Sequence, residues 1–248
     1  TTSGSCGNDT AFFTLTVNPI SSAGTITGAS TVCATASTSL SDAVSGGSWS
    51  SSSPARATVD ASGTVYGVSA GAVTITYSVS ICGSASTTYS MTVLAMPAAG
   101  SISGATSVCA GSNVTLTDGT TGGSWSSSDV AVVTVSSTGV VTGTGGGSAT
   151  ISYTVSNSCG SVSATYPMTG IALPDTGVIS GPSSICLSSP ATLSETATGG
   201  TWISGTPSVA TVSSTGLVTG VSTGTTIISY RQSNSCGTYY ATFPVTIT

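Results

Sequence analysis

Apolar residues recur at every second position in short runs, separated by glycine, serine and threonine. The stretch from 112 to 170 displays the pattern best. Val114 and Leu116 alternate with polar residues after a Gly-Ser-Asn turn, and Gly-Gly-Ser-Trp125-Ser opens a further run. Val133 and Val135 face one way before Ser-Thr-Gly139 turns the chain into Val140-Val141. Ala149, Ile151, Tyr153 and Val155 share one face of a longer run that reaches Cys159, and Tyr166 and Met168 line the last. A period of two is that of a strand with one buried face. About seven such strands in about 76 residues predict an antiparallel β-sandwich.

The same pattern occurs three times. Trp49, Trp125 and Trp202 stand 76 and 77 residues apart, as do Tyr77, Tyr153 and Tyr230, and Gly24, Gly100 and Gly177. Repetition at this period indicates tandem domains. We place the repeats at 22–97, 98–174 and 175–248, with Pro97 and Pro174 marking joins too short to be flexible linkers. Residues 1–21 read as the terminal strand of an incomplete or complementing unit.

Composition agrees with strands and turns. The chain has 2 Lys plus Arg, 7 Asp plus Glu and no His, while β-branched residues and glycine disfavour helices. Two scattered arginines cannot neutralise a run of phosphates, so nucleic acid and anionic membranes are excluded as partners. Mean hydropathy is positive at +0.41. Even so, no apolar run approaches the roughly 18 residues of a spanning helix, and Pro97 interrupts the nearest. No membrane insertion is expected. No signal peptide opens the chain; Thr1 falls in the middle of a structural unit, so an upstream portion is expected.

Cysteines fall into two series, Cys33, Cys109 and Cys186, and Cys6, Cys82, Cys159 and Cys236. Small sandwiches commonly need a staple. Their matched spacing predicts Cys33–Cys82, Cys109–Cys159 and Cys186–Cys236, one inter-sheet bond per repeat. Each would close a loop of about 50 residues, worth roughly 4 kcal/mol in the loop-entropy model. Cys6 is left unpaired within the chain. A metal site lacks its Cys-x-x-Cys and histidines, and neither a metal nor a cofactor is expected. Disulfides imply an oxidising, extracellular or cell-surface location. Each tryptophan lies between paired cysteines, where it is expected to pack on the bridge, with a sugar-stacking platform as the alternative. The tyrosines precede the second cysteine by too many residues for a tyrosine corner and are expected in the core.

The segment Gly123-Ser-Trp125-Ser-Ser-Ser-Asp-Val-Ala-Val-Val-Thr-Val135-Ser-Ser-Thr-Gly139-Val-Val-Thr-Gly143 resembles the bacterial immunoglobulin-like domain, group 2. Trp202 to Gly220 repeats it, and Trp49 to Gly67 does so with Ala55-Arg-Ala-Thr-Val59 in the middle. The added Val-Cys before the tryptophan and Asn-Ser-Cys-Gly after the tyrosine are similar to cysteine-bearing variants in secreted proteins of Bacteroidetes-type bacteria. The resemblance implies tandem Ig-like sandwiches serving as a stalk, fibre or adhesin scaffold, and brings no catalytic residues.

Gly67-Val-Ser69-Ala-Gly71 and Gly220-Val-Ser222-Thr-Gly224 fit the Gly-x-Ser-x-Gly elbow of serine hydrolases. That elbow needs a strand-to-helix turn and a histidine base. Here it recurs at the repeat period between strands and no histidine exists, so a β-turn is predicted. Asp9, Asp42, Asp60, Asp118, Asp129, Asp175 and Glu195 sit singly in turns, neither paired for glycoside hydrolysis nor spaced for calcium. No enzymatic activity is expected. Asn8-Asp-Thr10 and Asn113-Val-Thr115 fit the N-glycan pattern, and Asp9-Thr10-Ala11 a bacterial O-glycan pattern. Asn8, Thr10 and Asn113 are therefore candidate glycosylation sites, and sugar would make up for the scarce surface charge.

Shifted by 76, Cys6 aligns with Cys82, Phe13 with Tyr89, Leu15 with Met91 and Val17 with Val93. An apolar strand with an open edge invites pairing. Phe13, Leu15 and Val17 are expected to be buried at a junction, either in a preceding repeat or on another copy by strand addition. The leading functional expectation is a structural subunit of an extracellular fibre or stalk, associating with itself head to tail. The alternative is a surface adhesin gripping carbohydrate or a host protein, with Tyr239-Tyr240 as the one aromatic cluster. A phage-borne decoration domain is a third.

Overall fold

The computed structural model describes residues 7, 11–17, 20–80 and 83–248, and these contain strands and turns but no helix. The first repeat holds eight strands: β1 (Thr27–Gly28), β2 (Thr31–Cys33), β3 (Ser37–Ser41), β4 (Ser48–Ser51), β5 (Ala57–Val59), β6 (Thr64–Gly67), β7 (Gly71–Val79) and β8 (Ala85–Leu94). They form two four-stranded sheets, ordered β1-β3-β6-β5 and β2-β8-β7-β4. The β2–β8 pairing is parallel and the others are antiparallel. Repeats two and three follow the same plan, with strand order broken into more, shorter pieces.

The alternation seen in the sequence is what separates core from surface. Along β7, Val73, Ile75, Tyr77 and Val79 are buried. They meet Leu40, Ala57 and Val65 from the other sheet. The second repeat buries Leu116, Val133, Val141, Ile151 and Met168, and the third Leu193, Val218, Ile228, Val245 and Ile247. These are three separate cores. Each side chain brought fully inside contributes about 1.5–3 kcal/mol.

The chain divides into two compact units. One is 1–97 together with the hairpin tip 157–160, and the other is 98–156 with 161–248. The tip of the second repeat's long hairpin thus packs with the first repeat.

Residues 11–17 form no strand in the single chain. In the single chain Phe13, Leu15 and Val17 are 89%, 76% and 81% exposed; the burial expected of them was against a preceding repeat or another copy, neither of which is present. Each complete repeat fills the equivalent sheet position with its own last strand: β8, Gly160–Ile171 and Gly237–Ile247.

The turn glycine Gly139, like its counterparts Gly63 and Gly216, is dictated by geometry. Gly139 turns the chain with φ +82°, and a Cβ there would collide with the Leu116 carbonyl oxygen and stand 3.2 Å from the Trp125 ring. Left-handed backbone costs a residue with a Cβ about 1–2 kcal/mol before any clash. Gly139→Ala is therefore expected to destabilise the second repeat by roughly 2–3 kcal/mol, measured by urea unfolding followed at Trp125. A loss below about 0.5 kcal/mol would contradict this reading of the turn.

Candidate functional site

In the second and third repeats the two cysteines lie at opposite ends of the sandwich. Cys109 ends the strand Ser107–Cys109, which runs parallel to Gly160–Ile171 with Cys109 opposite Ile171. Cys159 sits at the other end of that 12-residue strand, in the turn after Asn157. At roughly 3.3 Å per residue the two are more than 30 Å apart, whereas a disulfide needs Cα atoms within about 7 Å. The third repeat has the same plan, with Ile185 opposite Ile247 and the hairpin turning between Asn234 and Gly237.

The bonds therefore cross from repeat to repeat. Cys33 is joined to Cys159 and Cys109 to Cys236, each with Cα atoms 5.6 Å apart. This corrects the expected intra-repeat pairs Cys33–Cys82, Cys109–Cys159 and Cys186–Cys236. Cys186 is an exposed free thiol. Cys6 and Cys82 lie outside the described residues. The motif Asn-Ser-Cys-Gly builds each crossing. Asn157 Oδ1 accepts the Cys159 amide at 2.8 Å, and its Nδ2 donates to the Ala95 carbonyl at 3.0 Å. Asn234 does the same with the Cys236 amide at 2.7 Å and the Ala172 carbonyl at 2.8 Å. Sequence reasoning noticed the motif but not this clamp.

The tryptophans do not pack on the bridges. Cys33 lies on β2 and Trp49 on β4, opposite edges of one sheet. Each tryptophan instead lies against its cross-strand tyrosine, with ring centroids 4.6 Å apart for Trp49–Tyr77, 4.7 Å for Trp125–Tyr153 and 5.1 Å for Trp202–Tyr230. All three tryptophans are half-buried and pack against the cores. The tyrosines are buried, as expected, and their hydroxyls fasten a loop. Tyr153 OH accepts the Gly123 amide at 2.8 Å and donates to the Thr120 carbonyl at 2.8 Å. Tyr77 does this with Gly47 and Val44, both at 2.7 Å.

An acid caps the same loop in every repeat. Asp42 Oδ1 accepts the amides of Val44 and Gly24, Asp118 Oδ1 that of Thr120, and Glu195 Oε1 those of Thr196 and Ala197. The second oxygen of each is buried without a hydrogen bond. The recurrence at 76 and 77 residues was available in the sequence, where these acids read only as isolated turn residues.

The sequence model of the bacterial Ig-like domain (group 2) matches residues 15–90 and 187–235, just over half of the chain. The chain belongs to this bacterial Ig-like family. Among solved structures it is similar to three consecutive Ig domains of titin, in an E-to-A mutated variant, at 13% identity over 89% of this chain and 96% of that one, TM-score 0.47. It is also similar to invasin, a bacterial integrin-binding protein, at 14% identity over 90% and 58%, TM-score 0.41. Domains 4 and 5 of the S-layer protein SbsC align at 19% identity over 61% and 100%, TM-score 0.29. No match is found among curated protein sequences.

Within these Ig-like repeats the hydrolase-like elbows are turns between strands. Ser69 Oγ donates to the Ala55 carbonyl and Ser222 Oγ to the Ser208 carbonyl, both at 2.7 Å. Each hydroxyl thus ties its turn to an earlier turn of the same repeat. No group of three or more metal-ligating side chains occurs among the described residues, and no helix there is long and apolar enough to cross a membrane. Asp60 caps the β5–β6 turn, and its carboxyl is held below the usual 3.8, first by the Ser62 hydroxyl and then by the Thr64 amide. That bonding is present above the ordinary value and lost as pH falls through the lowered one. Asn113 opens an exposed strand position, while Asn8 and Thr10 lie outside the described residues.

Two outcomes follow from this geometry. Cys159→Ser frees Cys33 for alkylation and leaves Cys109 protected, read by mass spectrometry of the unreduced chain. Alkylation of Cys109 instead would restore the intra-repeat scheme. Tyr153→Phe strips a partner from the Gly123 amide and the Thr120 carbonyl, costing about 1–3 kcal/mol. Hydrogen exchange at the Gly123 amide checks it, and unchanged protection would contradict the latch.

Proposed function

We propose that the chain is a structural segment of an extracellular bacterial fibre or stalk built from end-to-end Ig-like repeats. The observation that carries this reading is the pairing of Cys33 with Cys159 and Cys109 with Cys236. A bond from each repeat to its successor resists separation of neighbours, a property useful to a load-bearing array and idle in independent domains. Persisting disulfides favour an oxidising compartment outside the cytoplasm. The partner in this reading is another copy or a further repeat, added head to tail without closure. Glycans at exposed positions such as Asn113 would supply the hydration that nine charged side chains cannot.

A second reading, an adhesin module, draws on Tyr239 and Tyr240. Alternation predicts that one of them is buried, yet they are 41% and 53% exposed. Exposed adjacent tyrosines are a common binding surface. Negative-stain microscopy of native extracellular material, with gold-labelled antibody against this chain, separates the two. Label distributed along filaments is expected; label only on dispersed, unassembled particles would overturn the fibre.

A further inference from the structure

One sheet face of the third repeat differs from its counterparts in the other two. Its strands Thr201–Ser204, Gly224–Asn234 and Gly237–Ile247 lie side by side. On the face turned away from the core, Ile203 stands opposite Ser229, Ile227 opposite Pro244 and Arg231 opposite Tyr240. Ile203, Ile227 and Tyr240 are 38%, 52% and 53% exposed. Where the third repeat has Ile203, Ile227, Arg231 and Tyr240, the first has Ser50, Thr74, Ser78 and Ser86. The second has Ser126, Thr150, Thr154 and Ser163, and the last two hydroxyls satisfy each other at 2.7 Å. Large apolar side chains on a water-facing sheet lower solubility, and two sister repeats fold without them. Arg231 is exposed and has no hydrogen bond or ion pair among the described residues.

This face holds no carboxylate, so two copies of it pressed together would desolvate two arginines without a counter-charge. Its occupant must bring an acid beside an apolar side chain. The second repeat presents that pair: Asp129 and Val130 stand where the first repeat has Ser53-Pro54 and the third Thr206-Pro207. Val130 is 66% exposed, and its turn is held firmly. The Ala131 amide donates to Asp129 Oδ1 at 2.9 Å, Thr144 Oγ1 to the Val130 carbonyl at 2.8 Å and the Val133 amide to the Asp129 carbonyl at 3.1 Å. A preformed turn loses little freedom on docking. Asp42, Asp60, Asp118 and Glu195 are engaged in their own loops, and Asp175 lies in the irregular segment 172–178.

We propose that the outer sheet face of the third repeat binds the Asp129–Val130 turn of a second copy of this chain. Asp129 pairs with Arg231 beside Tyr240, and Val130 covers Ile203 and Ile227. Arg231 and Ile203 are diagonal neighbours about 7–8 Å apart, a span that two consecutive side chains cover. Face and turn are different surfaces, so the contact is heterologous and a pair of copies keeps one free face and one free turn. The contact is non-covalent and does not depend on the end-to-end array proposed above. Its small area makes each contact weak.

Sedimentation velocity of the whole chain, with free thiols alkylated, tests this from about 1 μM to about 1 mM. Association is expected to rise with concentration and to weaken as salt is added. Arg231→Asp and Asp129→Arg each weaken it roughly tenfold or more. An equal mixture of these two variants restores it, because every turn then meets a face of opposite charge, a rescue that misfolded variants could not give. Ile203→Ser combined with Tyr240→Ser installs residues that the second repeat already carries. That variant also loses association while retaining the Cys109–Cys236 bond, which shows that it folds. A mixture that fails to associate, or loss of association on Asp175→Asn but not on Asp129→Asn, overturns the proposal. So does a chain that stays monomeric throughout, and one that instead binds alginate through Arg231 would assign the face to an acidic polysaccharide.

Discussion

The reach of a disulfide against the length of a sandwich decides how this chain is held together. Two sulfurs join only when their Cα atoms come within about 7 Å, and the long final hairpins of the second and third repeats carry Cys159 and Cys236 far beyond that from the first-series cysteine of the same repeat. Among the described residues, Cys159 and Cys236 each meet the first-series cysteine of the repeat before. The bonded pairs accordingly span 126 and 127 residues of sequence. In the loop-entropy model closures of that size contribute about 5 kcal/mol each, and they constrain the junction where a chain of small domains would otherwise come apart.

Because the bridges serve the junctions, each sandwich must close its own interior by other means. Trp125 lies over Gly139, a position that admits no Cβ, and against Tyr153, whose hydroxyl ties down the loop entering the tryptophan strand. The carboxylates of Asp42, Asp118 and Glu195 cap the same loop, each with one oxygen buried and unpartnered. Such an oxygen is a cost that the amide bonds to the other carboxylate oxygen offset, two for Asp42 and Glu195 and one for Asp118. A ring pair, a turn glycine and a capped loop recur in every repeat and take the place that an internal bridge holds in many Ig domains.

The fold was legible because alternation in a sandwich is local. Val73, Ile75 and Tyr77 announce a buried face with no knowledge of what covers it, and the repeat period sets the domain count. The cysteine pairing was not legible from spacing. Equal separations of about 50 residues within a repeat and of about 127 between repeats are both regular. Only the position of Cys159 beyond the end of its strand, and of Cys109 beside Ile171, distinguishes them. The Asn-Ser-Cys-Gly motif was visible as a repeated string, but the carbonyl that Asn157 reaches lies 62 residues away. The strand character of residues 11–17 was read from alternation, which states that a segment can be half buried and not that its acceptor is present in the same copy.

Cutting the backbone at the join between the first two repeats tests the central claim most directly. A protease site inserted between Pro97 and Ala98 divides the chain into two pieces, with Cys33 on one and Cys159 on the other. The account predicts that, after cleavage, both pieces migrate together on a denaturing gel without reductant and separate when dithiothreitol is added. Release of the first repeat from the cleaved chain before any reduction would show that its disulfide closes within itself, and the account of the junctions would fall.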